Sequence, residues 1–211
     1  MIHLPQKLVV LSALALASVS LARAANDNYI RVSALEVVPE AHTSDDATGV
    51  MVALGTTFDN RFSDTANQFE LEVGWAKWDD SATAVIGGVT YSGKADLTFI
   101  PVLFTYRYQW NFGDRFSLAV GPSVGASHLR AEGSASGGGI SGSVSDTDWV
   151  FSCGVGVQIN YRISDAVALT AGYRYLMNQN ATFSAAGAKV ELKDLDTHLF
   201  ELGLRIEWPL D

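Results

Sequence analysis

The stretch 149–163 reads WVFSCGVGVQINYRI, and its alternation decides the fold. Every odd position, Trp149, Phe151, Cys153, Val155, Val157, Ile159, Tyr161 and Ile163, is apolar. Between them stand Val150, Ser152, Gly154, Gly156, Gln158, Asn160 and Arg162, all small or polar except Val150. A period of two is the mark of a β-strand with two unlike faces. A soluble β protein would turn the apolar face to a core, but the other face here, of glycines and charges, suits only a narrow polar interior. The pattern fits a barrel that is apolar outside and polar inside, as strands crossing an outer membrane must be.

Seven further segments carry the same signal. They are Tyr29 to Val38, Gly49 to Phe58, Asn67 to Trp78, about Leu97 to Phe112, Arg115 to His128, Ala166 to Met177 and Thr197 to Trp208, with the quoted strand running from Asp148 to Ile163. The connections alternate in length. Asn60 to Asp64, Gly113 with Asp114, and Ser164 with Asp165 are short, whereas Pro39 to Thr48, the link between strands three and four, the link holding Gly133 to Val144, and Asn178 to Leu195 are long. Short periplasmic turns and long external loops are the topology of an outer-membrane barrel, so the predicted fold is an all-β, eight-stranded antiparallel up-and-down transmembrane barrel. Gly133 to Ser145, almost free of bulky side chains, reads as a mobile loop. Pro101 and Pro122 interrupt strand patterns and predict bulges or distorted pairing.

Met1 to Ala24 holds Lys7, the apolar run Leu8 to Leu14 and an A-x-A ending at Ala22, Arg23 and Ala24, the pattern of a secretory signal peptide. Residues 25–211 then form one barrel domain, expected to be exported to the outer membrane of a Gram-negative bacterium. The leader contains two of the basic residues and no acid, so the formal charge moves from -9 to -11 without it. Such an acidic chain is a poor partner for nucleic acid. Cys153 is the single cysteine and excludes an intramolecular disulfide. Its place on the apolar face suits a small lipid-facing side chain.

Aromatic residues gather at strand ends, as membrane interfaces favour. Trp110, Tyr161 and Trp208, with Phe58, Phe69, Phe112 and Phe116, are expected at the periplasmic boundary, and Trp75, Trp78, Trp149 and Tyr175 at the outer one. Alternation turns Arg31, Arg107, Arg162, Arg174 and Arg205 inward together with Glu70, Glu72, Glu201 and Glu207. Unpaired buried charge is costly, so these groups should form a polar network in the lumen. The functional reading of that network is a narrow pore for ions or small solutes; the structural reading is a salt-bridged plug. An eight-stranded interior is about wide enough for side chains to fill, which favours the plug.

Several segments resemble the eight-stranded barrel family that includes the transmembrane domain of OmpA, the opacity proteins and porin-like surface antigens. The matching stretches are Ile100-Pro101-Val102-Leu103 leading to Tyr106-Arg107-Tyr108, Gly121-Pro122-Ser123-Val124-Gly125-Ala126, Ala171-Gly172-Tyr173-Arg174-Tyr175, and Glu201-Leu202-Gly203-Leu204-Arg205. The resemblance implies insertion by the barrel assembly machinery, which in that family reads a terminal aromatic residue. Here Trp208 is followed by Pro209, Leu210 and Asp211.

No catalytic, cofactor or metal site is expected. Ser127 and His128 are adjacent on a strand and point to opposite faces, so they cannot form a nucleophile and base pair for a lipid A-modifying enzyme. His42 and His198 read as loop or interfacial residues. Asp45 and Asp46, or Asp79 and Asp80, lack the spacing of a calcium loop. A soluble lipocalin-like barrel would have to expose Arg174, Arg205, Glu70 and Glu72 among many glycines. The expected role is structural, with four external loops offered to an extracellular ligand; the partners are outer-membrane lipids and lipopolysaccharide, and the protein is expected to be a monomer.

Overall fold

The computed structural model describes residues 27–40, 46–60, 63–86, 89–138, 140–185, 188–192 and 195–209. The expected leader, Met1 to Ala24, lies outside them, as do His42 and Asp45. Ten strands follow in order among the described residues: β1 (Asp27–Pro39), β2 (Ala47–Asp59), β3 (Thr65–Ile86), β4 (Val89–Phe112), β5 (Phe116–Gly137), β6 (Ile140–Ser164), β7 (Val167–Asn178), β8 (Ala181–Ala185), β9 (Ala188–Leu192) and β10 (Thr197–Pro209). Eight of them close a ring in the order β1-β10-β7-β6-β5-β4-β3-β2, while β8 and β9 form a separate hairpin. Every pairing is antiparallel, and β1 seals the ring along β10 from Asp27 opposite Pro209 to Pro39 opposite Thr197. Closure removes the exposed sheet edges that a bilayer would not tolerate.

The β4–β5 turn depends on Gly113, whose φ of 68° lies in the left-handed region that a side chain disfavours. Neither proline creates a bulge. Between β3 and β4 the ladder skips Gly74 and Trp75 opposite Pro101 and Ile100, and between β4 and β5 it skips Tyr106 and Arg107 opposite Pro122 and Gly121, yet the register is the same on either side. Proline has no N–H to donate, so pairing lapses locally without adding a residue. Among the described residues, an irregular step in register falls between Arg162 and Ser164 where β6 meets β7.

The stretch Gly133 to Ser145, expected to be a mobile loop, is paired strand over 133–137 and 140–145. β5 pairs with β6 out to Gly137 opposite Ile140, and β3 with β4 out to Ile86 opposite Val89. Both hairpins continue far beyond the apolar belt, so their two faces meet the same solvent and no alternation marks them. The expected long connection from Asn178 to Leu195 likewise contains β8 and β9.

The outer wall is apolar: Val32, Val50, Val52, Leu54, Val73, Val124, Phe151, Val155, Ile159, Leu169, Leu202, Leu204 and Ile206 are exposed. The inner wall divides by height. Toward the extracellular end, Leu35, Val37, Met51, Phe99, Leu103, Leu129, Val150, Leu176 and Leu199 fill the barrel, and Ala181 and Phe183 of β8 join them from above. Trp78 belongs to this interior layer, not to the outer aromatic belt: only 9% exposed, its ring meets Phe99 edge-on at 6.0 Å. Trp75 and Trp78 are three positions apart, and a period of two puts them on opposite faces. The lumen is therefore charged only in its middle and periplasmic portions, and toward the extracellular end it is mainly apolar, with Ser127, Ser152 and Asn178 hydrogen-bonded to one another beside the layer.

Candidate functional site

Below the apolar layer, three arginines and three glutamates meet inside the ring. Arg31 on β1, Arg107 on β4 and Arg174 on β7 face Glu70 and Glu72 on β3 and Glu201 on β10. Glu72 is the hub: it accepts from Arg31 Nη2 at 2.8 Å, Arg107 Nη2 at 3.0 Å, Arg174 Nη2 at 2.9 Å and the Thr105 hydroxyl at 3.0 Å. Arg174 Nη1 also bonds Glu72. Glu70 accepts from Arg31 Nη2 at 3.1 Å and the Tyr29 hydroxyl at 2.7 Å, and it pairs with Arg107 Nη1. Glu201 pairs with Arg31 Nη1 and lies 3.4 Å from Arg174 Nη2. Three positive and three negative groups balance, and the side chains are at most 5% exposed. Forked guanidinium donors bridging carboxylates from different strands make a crosslinked partition across the lumen.

Small residues give this network its space. Gly156 stands opposite Arg174 across the β6–β7 ladder. Tyr29 lies over Gly55, where an ideal Cβ would approach its ring within 2.3 Å. The guanidinium of Arg205 stacks on the other side of this assembly, 3.5 Å from the Tyr29 ring centroid, and donates to the Thr57 hydroxyl at 2.8 Å.

Arg162, Arg205 and Glu207 form a second group at the periplasmic mouth, apart from the six central charges. Arg205 Nε is 2.8 Å from Glu207, and Arg162 reaches Glu207 at 3.5 Å. The Arg162 side chain is 49% exposed, so it lines an open vestibule and not the sealed interior. The vestibule is a cavity of about 240 Å³ whose lining includes Asp27, Asp59, Asn111, Arg162, Arg205 and Glu207. Alternation identified the facing of these residues but carried no information on their depth.

The β8–β9 hairpin covers the opposite end. Asp146 accepts the Ser184 N–H at 2.5 Å and Asp148 the Thr182 N–H at 2.9 Å, so two carboxylates of β6 hold the backbone of β8. The Ser184 N–H, and next that of Thr147, hold Asp146 below the usual carboxylate range. A lowered carboxylate stabilises the docked hairpin above the undocked value of about 4, and that contribution disappears as pH falls through the lowered one. Pepsin cleavage within β8–β9 should therefore accelerate as pH drops below about 4, whereas Asp146→Asn should remove that step; an unchanged pH profile in the variant would refute the latch.

Trp75 and Trp149 are exposed on the outer wall toward the extracellular end, and Trp110, Tyr161 and Trp208 toward the periplasmic end. Ser127 points inward and bonds the Ser152 hydroxyl at 2.7 Å, while His128 points outward against Trp149 at 5.0 Å. His198 Nδ1 lies 2.9 Å from the Tyr173 hydroxyl on the outer wall. No group of three metal-ligating side chains occurs among the described residues.

The family model described as the outer membrane protein beta-barrel domain matches residues 9–206. The chain belongs to this family. It is an integral β-barrel protein of the Gram-negative outer membrane, and its exposed apolar wall is the surface that contacts lipid. A major outer membrane protein from Thermus thermophilus is similar in structure, with a TM-score of 0.54 at 13% identity, over 86% of this chain and 99% of that one. OprG from Pseudomonas aeruginosa has a TM-score of 0.52 at 13% identity, over 88% of this chain and 97% of its own. Ail from Yersinia pestis aligns over 87% of this chain and 99% of its own at 16% identity, with a TM-score of 0.44. No curated protein sequence matches the chain. Likeness at these identities establishes the fold. In this family setting, the short β2–β3, β4–β5 and β6–β7 turns face the periplasm, and the long β3–β4 and β5–β6 hairpins stand outside the cell.

Proposed function

We propose that the protein is a non-conducting structural barrel that stabilises the envelope as a monomer and offers its four external connections to molecules at the cell surface. The balanced set of three arginines and three glutamates, buried beneath an apolar layer, carries this reading. An ion crossing the lumen would have to part several charge-assisted bonds and then enter a layer of Leu, Met, Phe and Trp side chains. Either step is costly in a low-dielectric interior. No enzymatic role is assigned, because Ser127 and His128 face opposite ways and His198 contacts a tyrosine.

Planar-bilayer recording tests the closed lumen. The folded full-length protein should give no current steps above the protein-free bilayer in concentrated salt. Regular steps that vanish on boiling the sample would overturn the plug and favour a narrow pore. The surface role predicts that shortening the β3–β4 or β5–β6 hairpin lowers adhesion of cells expressing the protein to host or neighbouring cells, with the barrel still folded.

A further inference from the structure

The periplasmic mouth is polar from floor to rim, and its charges are sorted. Thr57, Gln109, Ser117, Asn160 and Arg205, each at most 8% exposed, make the floor of the vestibule. The Thr57 hydroxyl accepts from Arg205 Nη2 at 2.8 Å and the Ser117 hydroxyl from Asn160 Nδ2 at 3.0 Å, so each keeps an O–H to donate. On the rim, Asp27 of β1, Asp59 of β2 and Asp64 of the β2–β3 turn form one arc. Among the described residues their carboxylates enter no ion pair and accept no hydrogen bond. Arg115 and Arg162 stand on a second arc, tied together where the Arg162 N–H donates to the Arg115 carbonyl at 2.7 Å. In the ring β2 and β6 are four strands apart, as are β1 and β5, so the two arcs are diametrically opposed. Asp114 beside Arg115 leaves the second arc net positive, and Glu207, between the arcs on β10, is held by Arg205 Nε at 2.8 Å.

We infer that the vestibule binds a short periplasmic peptide with free ends, its ammonium against Asp27, Asp59 and Asp64 and its carboxylate against Arg115 and Arg162. A polyamine would satisfy the aspartates and leave the arginines facing nothing; a dicarboxylate would do the reverse. A zwitterion meets both arcs, and hydrogen bonds between ionised groups are the strong ones. Its two charges must lie well apart, because eight strands about 4.8 Å from one another enclose a ring at least about 12 Å across. A single α-amino acid carries both charges on one carbon and cannot reach the two walls, whereas each added residue extends a chain by about 3.3–3.6 Å. The peptide carbonyl between the ends accepts from the Thr57 or Ser117 hydroxyl of the floor. A cavity of about 240 Å³ takes a ligand of a few residues and no folded domain. A metal ion does not fit, since no three of these acids come close enough to share one among the described residues. The Arg162 pair with Glu207, at 3.5 Å and half exposed on the arginine side, contributes little, so the guanidinium is free to turn to the ligand. The vestibule lies on the periplasmic side of the charge partition, so this binding stands or falls independently of the adhesive role and of the closed lumen.

Full-length protein folded in detergent would be titrated calorimetrically with dialanine, N-acetyl-dialanine, dialanine amide and free alanine. Dialanine should bind the parent at least tenfold more tightly than any of the other three. D27N/D59N should bind dialanine at least tenfold more weakly and no better than the acetylated form; R115Q/R162Q should show the same loss and bind it no better than the amide. Lys77→Gln, a charge lost on the extracellular side, should bind as the parent does. Absence of dialanine binding, or equal affinity of the parent for the acetylated or amidated form, would overturn the zwitterion site. Equally tight alanine would overturn the span between the arcs, and discrimination lost in the opposite variant would overturn the assigned polarity. Unboiled gel mobility verifies that each variant is folded, and D59N and R162Q singly serve if a double variant is not.

Discussion

Glu72→Ala should lower the stability of the folded barrel by about 3–5 kcal/mol, the usual result of removing one partner from a buried ion pair. Glu72 receives hydrogen bonds from Arg31, Arg107 and Arg174 and from the Thr105 hydroxyl. Without it, two carboxylates face three guanidinium groups in an interior that excludes water on the extracellular side. The measurement is the fraction of unboiled, fast-migrating protein across a urea series. An unshifted midpoint would mean that water penetrating from the periplasmic vestibule, and not Glu72, balances the arginines. A second variant isolates charge from shape: Glu72→Gln combined with Arg174→Met removes one charge of each sign and should recover much of the loss, because an interior with matched charges tolerates apolar replacement.

The ring of eight strands was legible because its signal is repeated and physical. Each strand that crosses the membrane separates lipid from lumen, so the period of two in Phe151, Cys153, Val155 and Val157 survives any local irregularity. The same parity turns Arg31, Glu70, Glu72, Arg107, Arg174 and Glu201 to one compartment. What parity does not encode is height. Leu35, Met51, Phe99, Leu129 and Leu199 share the inward face with the charges, and only the closed register stacks them into a separate apolar layer. Val150, the one apolar residue among the even positions of 149–163, belongs to that layer. The hairpin extensions were hidden for the opposite reason. From Ser134 to Ser136 and from Ser141 to Val144 every residue is exposed, so backbone pairing alone sustains the strands and side-chain pattern is under no demand. The β8–β9 hairpin has a third origin: its place depends on carboxylates of Asp146 and Asp148, which lie more than thirty residues before the backbone groups they receive.

The second large effect separates two tryptophans three residues apart. Trp78→Ala should cost about 3–5 kcal/mol, since truncating a buried aromatic removes its packing and leaves a cavity that the surrounding structure refills only in part. Its neighbours, Phe99 at 6.0 Å and the Leu, Val and Met side chains of the apolar layer, come from strands held in a closed ring and cannot collapse freely inward. Trp75→Ala, on a strand whose outer wall faces lipid and with the side chain 46% exposed, leaves no protein cavity because acyl chains can occupy the vacated volume. Its effect should stay below about 1.5 kcal/mol, the part assignable to an interfacial ring contact. Urea midpoints from the same gel series compare the two directly. If Trp75 proved the more costly, the apolar layer would not be the structural core of the upper lumen, and the barrel would depend chiefly on its aromatic anchors in the bilayer. If Trp78 dominates as expected, the truncation also thins the layer that blocks the lumen above Glu72, and bilayer recordings on Trp78→Ala then ask whether the charge network alone is sufficient to keep ions out.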